Sequence, residues 1–317
     1  MTKRGTKVSV VGVGAVGATA AYALSTSDLV SELVLVDVDK NRTEGEALDL
    51  KHGSGFLRSI NITAGDYEDT KDSDVAVITA GVAQKPGESR LELVDRNIKI
   101  FESIIPEVAK NSPNAILLVV SNPVDVLTRV TYELSGFPKE RVISSGTMLD
   151  TSRLQYEIAS RFGIDTRDVN AFIMGEHGDS GFPVWSLANI KGISLDEFSK
   201  LTGHEYNESF REEVAKNVVA SAYEVINKKG ATYYAIGLSI RRIVKAILGD
   251  EKAIIPVGTL VNDYYEANDV YMGMPCIIGI NGVEKVLQIE LTDEEAEKFN
   301  NSAKTLMDTF NESFAKK

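Results

Sequence analysis

Residues 7–23, KVSVVGVGAVGATAAYA, constrain the fold of this chain more than any other stretch. Val8, Val10, Val11 and Val13 crowd β-branched side chains into a short run, the pattern of a strand buried on both faces. Gly12, Gly14 and Gly17 stand in G-x-G-x-x-G spacing, and an alanine-rich run then favours helix. The first two glycines allow a tight turn and let backbone N–H groups approach a pyrophosphate. The third lets the helix pack close on the strand, with its N-terminus facing negative charge. Such spacing also recurs in ordinary turns, so a second signal has to decide. That signal is Asp37, twenty residues beyond Gly17 and at the end of another buried-strand pattern, residues 32–37. An acid there accepts hydrogen bonds from the adenosine ribose hydroxyls and repels a 2′-phosphate. Strand, glycines, helix, strand and acid in that order predict a dinucleotide site, for NAD rather than NADP.

The same alternation continues to about residue 145. Helix is expected at 41–52, 88–111 and 123–135, and strand at 61–64, 74–80, 115–120 and 141–144. Strands separated by helices imply a parallel sheet wrapped by right-handed crossovers, a doubly wound α/β domain of the Rossmann type. From Met148 the character changes. Long helical patterns at 148–162, 205–229, 233–248 and 293–314 flank strand-like pieces at 169–174, 253–261, 276–280 and 283–289, a mixed α+β arrangement. The expected division is a dinucleotide-binding domain over residues 1–145 and a substrate domain over 146–317. No repeat, low-complexity segment or long linker separates them.

Composition narrows the partners. A net charge of −12 argues against nucleic acid or an anionic membrane. An anionic substrate would therefore need individual arginines. The single cysteine, Cys276, rules out an internal disulfide and a cysteine-based metal cluster, and fits a reducing cytoplasm. No apolar run reaches membrane-spanning length, and none near Met1 reads as a signal segment.

Several stretches at expected strand ends carry chemistry, each with a plainer alternative. Residues 80–90, AGVAQKPGESR, read equally as an exposed turn and as a lid bringing Gln84 and Arg90 over a ligand. Asn122, before Pro123, either turns the chain or binds a ligand oxygen with its amide. Asp150 and Arg153 lie three apart, so they share a helical face and suit a simple ion pair. His177 differs from His52 and His204, which sit in polar surroundings and are expected to be solvated. It lies between glycines in GEHGDS, with nothing to pack its ring into a core, and this favours acid–base work. No second His or Cys stands at zinc-ligand spacing, so no metal is expected. Thr232, by a helix start, reads as a local cap. Tyr22, Tyr234, Trp185 and Cys276 read as core or interface residues.

The segments VGVGAVG, LVDV, AGVAQKPGESRLELV, VVSNPVD, GTMLDTSR, GEHGDS and KGATYYAIGLS occur in the order and spacing of one family. Over its whole length the chain resembles the bacterial L-lactate dehydrogenases of the lactate/malate dehydrogenase superfamily. The resemblance implies an NAD-dependent oxidoreductase that moves hydride between nicotinamide and a 2-hydroxy/2-oxo acid. It implies His177 as proton donor and acceptor, Asp150 as the partner of its other ring nitrogen, and Arg153 as the fork on the substrate carboxylate. Arg90 would polarise the substrate carbonyl and Asn122 would bind its oxygen. Asp37, Arg42 and Tyr67 would serve the adenosine end of the cofactor. Gly12, Gly14, Val16, Gly17, Gly81, Val82, Val120, Asn122 and Ile236 would line the rest.

Two positions bear on the substrate. The lid residue matching Gln84 is an arginine in similar malate dehydrogenases, and Thr232 is bulkier than the residue facing it there. A buried, unmatched second carboxylate is costly, so pyruvate is favoured over oxaloacetate; malate or branched-chain 2-hydroxy-acid activity is the alternative. A non-catalytic NAD-binding protein would need none of His177, Asp150, Arg153 and Arg90. The resemblance also implies a homo-oligomer, a tetramer. It implies a departure too: an Arg and a His that bind fructose 1,6-bisphosphate in many relatives are replaced by Gln155 and Asn170.

Overall fold

Alternation along the first strand decides how the sheet must be covered. In β1 (Lys7–Val11), Val8 and Val10 join one hydrophobic cluster and Val11 joins another, and none is more than 1% exposed. A strand buried on both faces needs helices on both sides. The computed structural model describes residues 5–83, 87 and 90–314, for residue 90 the backbone only, and it supplies both layers.

The first half runs β1, α1 (Ala15–Ser25), β2 (Glu32–Val36), α2 (Lys40–His52), β3 (Asn61–Gly65), β4 (Val75–Ile78), α3 (Arg90–Asn111), β5 (Ile116–Val119), α4 (Val124–Ser135) and β6 (Val142–Ser144). These six strands are parallel, in the order β3-β2-β1-β4-β5-β6. The order reverses between β1 and β4, and the crevice beyond that switch point is where such sheets bind ligands. Helices α3 and α4 cover one face through Ile98, Phe101, Leu127 and Val130.

The second half holds α5 (Met148–Phe162), β7 (Val169–Asn170), β8 (Ile173–Met174), β9 (Phe182–Pro183), β10 (Asn189–Ile190), β11 (Ile193–Ser194), α6 (Leu195–Thr202), α7 (Glu208–Lys229), α8 (Tyr234–Leu248), β12 (Ala253–Val261), β13 (Val270–Gly279), β14 (Gly282–Val286) and α9 (Asp293–Ser313). Hydrogen bonding continues across residue 145. Strand β12 pairs antiparallel with β6, and β13 and β14 extend the same sheet to nine strands. Helix α8 crosses back to pack on α1, and Ile240, Ile243, Val244 and Ile247 bury against the face that holds Val8 and Val10. The approach is close: a Cβ on Gly237 would lie 2.8 Å from Cγ2 of Thr19.

Three local expectations need correction. The strand expected over 169–174 is two short ones, β7 pairing with β10 and β8 with β9, because the chain changes sheets at Ala171. The strand expected at 276–280 starts at Val270; Pro256 and Pro275 face each other at one rung of its ladder, and residues without donors hide a strand pattern. Helix α6 was not anticipated, although its signals are local: Ser194 accepts the N–H of Glu197, and Gly203 ends the helix at φ 73°. Tyr22 and Tyr234 are exposed rather than core, whereas Cys276 is fully buried and Trp185 packs beside the cluster formed by α5 and α7. His52 and His204 are exposed.

Candidate active site

Two hydroxyls set the start of α5. Thr147 Oγ1 donates to the carbonyl of Ile173 (2.6 Å), and Thr151 Oγ1 accepts the N–H of Ile173 (2.9 Å). This reciprocal pair fixes the first turn of α5, with Asp150 and Arg153, against β8. The chain leaving β8 is fixed as well. Gly175 pairs through both backbone groups with Gly273 in β13 and adopts φ 97°, where a side chain would strain. His177 follows two residues later.

The outcome is a shared carboxylate. Asp150 Oδ2 lies 2.6 Å from Nδ1 of His177, and its Oδ1 accepts from Arg153 Nη1 at 2.8 Å. All three side chains are largely buried. Burial disfavours the charged imidazole, but the charge and hydrogen bond of Asp150, with Asp125 behind, outweigh it and raise His177 to about 9. Burial opposes ionisation of Asp150 too, yet His177 and Arg153 together hold its carboxyl below the usual range. With Nδ1 engaged, Nε2 is the nitrogen left for a substrate.

His177, Asp150, Arg153 and Asn122 line a single cavity of about 780 Å³, with Leu93 of α3 on its wall. The sequence-predicted Thr232 is half-buried just before α8 but does not line this cavity. Its hydroxyl is not the helix cap either, since α8 starts from Tyr233 without a side-chain cap. Gln84 and the Arg90 side chain lie outside the described residues; the backbone of Arg90 begins α3. Among the described residues no group of His, Cys, Asp and Glu stands ready for a metal ion.

The glycine fingerprint sits at the end of β1, beside the switch point. Gly12 adopts φ 96°, and a Cβ there would collide with the backbone of Ala80. A Cβ on Gly17 would strike the Gly12 carbonyl, whereas one on Gly14 would meet nothing within 4 Å. So the first and third glycines are needed for packing, and the second leaves backbone open to a ligand. This arrangement fits a dinucleotide pyrophosphate at the N-terminus of α1. Asp37, at the end of β2, accepts the N–H groups of Val13 and Asp39, tying the acid to the fingerprint loop. Tyr67 lies near it: burial and then the charge of Asp37 raise its hydroxyl pKa. Arg42 is half-exposed in the first turn of α2, 3.8 Å from Glu46. Val120, just after β5, is buried, whereas Val16 and Ile236 pack partly buried against the core. Gly81 and Val82 follow β4, and Val82 is exposed.

Both halves of the chain match known family models. Residues 6–144 match the lactate/malate dehydrogenase NAD binding domain, and 147–317 the lactate/malate dehydrogenase alpha/beta C-terminal domain. The chain belongs to the lactate/malate dehydrogenase family. An L-lactate dehydrogenase of Clostridium botulinum (strain Loch Maree / Type A3) is 62% identical over 306 residues, 96% of each chain. L-lactate dehydrogenase 1 of Clostridium acetobutylicum is 52% identical, over 98% of this chain and all of the relative. A lactate dehydrogenase enzyme from a Medee basin deep-sea metagenome library superposes at a TM-score of 0.94 with 44% identity, covering 98% of this chain and 99% of that one. The ligand-bound minor L-lactate dehydrogenase from Enterococcus mundtii gives 0.94 at 40% identity, covering 97% and 98%.

Sequence reasoning passed over residues that hold the site of this dehydrogenase together. Asn97 of α3, only 1% exposed, accepts the N–H of Val82 (2.9 Å) and donates to the carbonyl of Asn122 (2.9 Å), joining two strand-end loops. A polar residue inside the apolar stripe of Val94, Ile98 and Phe101 was the available signal. Ser302 of α9 accepts the N–H of Glu176, and Glu176 in turn accepts from the Ser180 hydroxyl (2.6 Å). Asp125 accepts the N–H of His177 itself. Nothing local marks Ser302 and Asp125 as partners, because each arrives from a distant helix.

Proposed function

We propose that this enzyme reversibly reduces pyruvate to L-lactate with NADH. The observation that carries this reading is the convergence of His177, Asp150, Arg153 and Asn122 in one cavity, Asn122 following β5 in the same sheet whose β1 leads into the glycine fingerprint. Gly12 and Gly14 with the N-terminus of α1 would hold the pyrophosphate of NADH and Asp37 its adenosine ribose, and the cofactor would supply the hydride for carbon 2 of the 2-oxo acid. His177, kept protonated through neutral pH, donates from Nε2 to the substrate oxygen and takes the proton back in the reverse direction. Asp150 accepts the Nδ1–H, which fixes the tautomer and stabilises the charged ring. Arg153 gives Nη1 to Asp150 and keeps its other N–H groups for the substrate carboxylate. Asn122 bonds the substrate oxygen, and Arg90 polarises the carbonyl where charge develops.

Neutral Gln84 brings no positive charge to a second carboxylate, which favours pyruvate over oxaloacetate. Steady-state rates with NADH and each of the two acids test this. A higher kcat/KM for oxaloacetate would reassign the enzyme to malate.

A homo-oligomer, a tetramer, is the assembly we infer. Tyr22 of α1 and Tyr234 and Leu238 of the adjoining α8 are each at least 60% exposed, an apolar face a lone subunit would leave in water. Gln155 and Asn170 spend their amides inside the chain, on the Ala171 carbonyl (3.3 Å) and on Asn189 (3.0 Å), and bring no charge. Fructose 1,6-bisphosphate is therefore expected to leave the pyruvate saturation curve unchanged at mildly acidic pH. A large leftward shift would refute this. Sedimentation measures the assembly. A cytoplasmic location fits a chain whose single cysteine, Cys276, is a buried free thiol.

A further inference from the structure

Asp125 is an expensive residue for its position. It is the second residue of α4 and 3% exposed. Its Oδ2 accepts the backbone N–H of His177 at 2.8 Å, while Oδ1 has no hydrogen-bond partner among the described residues. Oδ1 rests against β12, where a Cβ on Gly258 would lie 3.4 Å away. A buried carboxylate with one N–H to satisfy it costs several kcal/mol, and an asparagine would accept that N–H more cheaply. The first turn of α4 favours an acid, and the positive charge that acts on this one is the imidazole of the residue it anchors.

We propose that Asp125 is a positioning residue for His177, fixing the backbone from which the ring projects and raising the ring's affinity for the proton it delivers. Two anchors make one geometry. Asp125 holds the His177 main chain from α4, and Asp150 holds Nδ1 from α5. With both ends fixed, the two side-chain torsions leave Nε2 one place, on the cavity wall.

The charges around Asp125 agree with this role. Asp150 from α5 and Glu176 from the loop that carries His177 are acids, and among the described residues His177 is the cation that lowers its proton affinity. Burial, opposed by the His177 N–H, lifts Asp125 to about 7. On its other side a small cavity of about 80 Å³ is shared with Arg129, Asp269 and Tyr271, while α9 contributes Leu306, Met307, Phe310 and Asn311. Arg129 is neutralised there by Asp269 (2.5 Å) and Glu133 (2.6 Å). His177 thus titrates beside two carboxylates, and either one alone leaves its proton less firmly held.

The proposal rests on His177 being the acid–base group, so its test includes a readout that needs no turnover. The chain has three histidines, and His177→Asn assigns the His177 signal in the NMR spectrum of ring-labelled protein. Asp125→Asn keeps an acceptor for the N–H but removes the charge; the His177 titration should fall by about one pH unit. The alkaline limb of kcat/KM for pyruvate should move down with it, while the Kd for NADH stays unchanged. Asp125→Ala leaves the N–H unsatisfied and should lower kcat at least tenfold, with KM changing less, and Asn should recover most of that loss at acidic pH. A His177 titration identical in parent and Asp125→Asn would overturn the electrostatic part, even if the Ala variant fails to fold. An Asp125→Ala enzyme with parental kcat would overturn the positioning part. A parent that reduces pyruvate at a rate independent of His177 would instead refute the acid–base reading, a result distinct from both.

Discussion

Replacing Asp150 by asparagine tests the core of the mechanism with a change of one atom. In the intact site His177 stands at about 9 rather than 6.5, and Asp150 is the largest contribution favouring the charged ring. That interval corresponds to about 3 kcal/mol of extra stabilisation of the imidazolium. Above about pH 9, where the resting ring is neutral in both enzymes, the transition state carries the proton partly on the ring, so between half and all of this is lost, a fall in kcat/KM of about 10- to 100-fold; at lower pH the protonated resting enzyme loses the same stabilisation and the fall shrinks. Both directions share one transition state. Hence pyruvate reduction and lactate oxidation should change by similar factors at any fixed pH, provided cofactor binding is unchanged. The pH profile is the sharper readout. Reduction needs the protonated ring, so the parental rate holds below about 9 and declines as pH rises through it; in Asp150→Asn the decline should begin near 6.5 or lower. The assay is kcat/KM for pyruvate from pH 5.5 to 10 at saturating NADH, with circular dichroism to confirm folding. A variant whose alkaline limb stays in place, whatever its absolute rate, would refute the claim that Asp150 sets the proton affinity of His177.

Other perturbations should behave as follows. His177→Asn should fold and bind NADH, because the ring is not core, yet lose about 10²–10⁴-fold in turnover, measured by NADH absorbance. Asp37→Ser should narrow the preference for NADH over NADPH in kcat/KM and weaken both cofactors, since the carboxylate also holds the N–H groups of Val13 and Asp39; an unchanged ratio would remove Asp37 from the ribose site. Gly17→Ala should cost about 3 kcal/mol or more in thermal unfolding, because the new Cβ would strike the Gly12 carbonyl and lie 2.7 Å from Thr79 Oγ1. Gln84→Arg should raise oxaloacetate reduction relative to pyruvate by placing a cation where only the larger acid has an anion; no change in that ratio would mean residue 84 does not meet the substrate.

The sequence by itself determined whatever depends on neighbours along the chain. The β-branched runs made buried parallel strands, and Gly12 and Gly17 stand where only glycine fits. Asp150 and Arg153, three residues apart, form their ion pair on one helical face. Even α6, unforeseen, was legible in the Ser194 cap and Gly203. Only the tertiary structure decided what depends on partners far apart. That β12 to β14 complete the first sheet rather than build their own follows from pairing with β6, and periodicity reports burial, not the identity of a partner strand. Helix α8 covers the first half's sheet for the same reason: an apolar stripe states that it must be buried, not against what. The site shows this at the scale of single atoms. His177 announced itself by standing between glycines, but the Asp125 carboxylate reaches its N–H across 52 positions and Ser302 holds the N–H of Glu176 across 126. Hydrogen bonds of that span leave no periodic trace, because they form only after the sheets and helices have packed and placed donor and acceptor within reach.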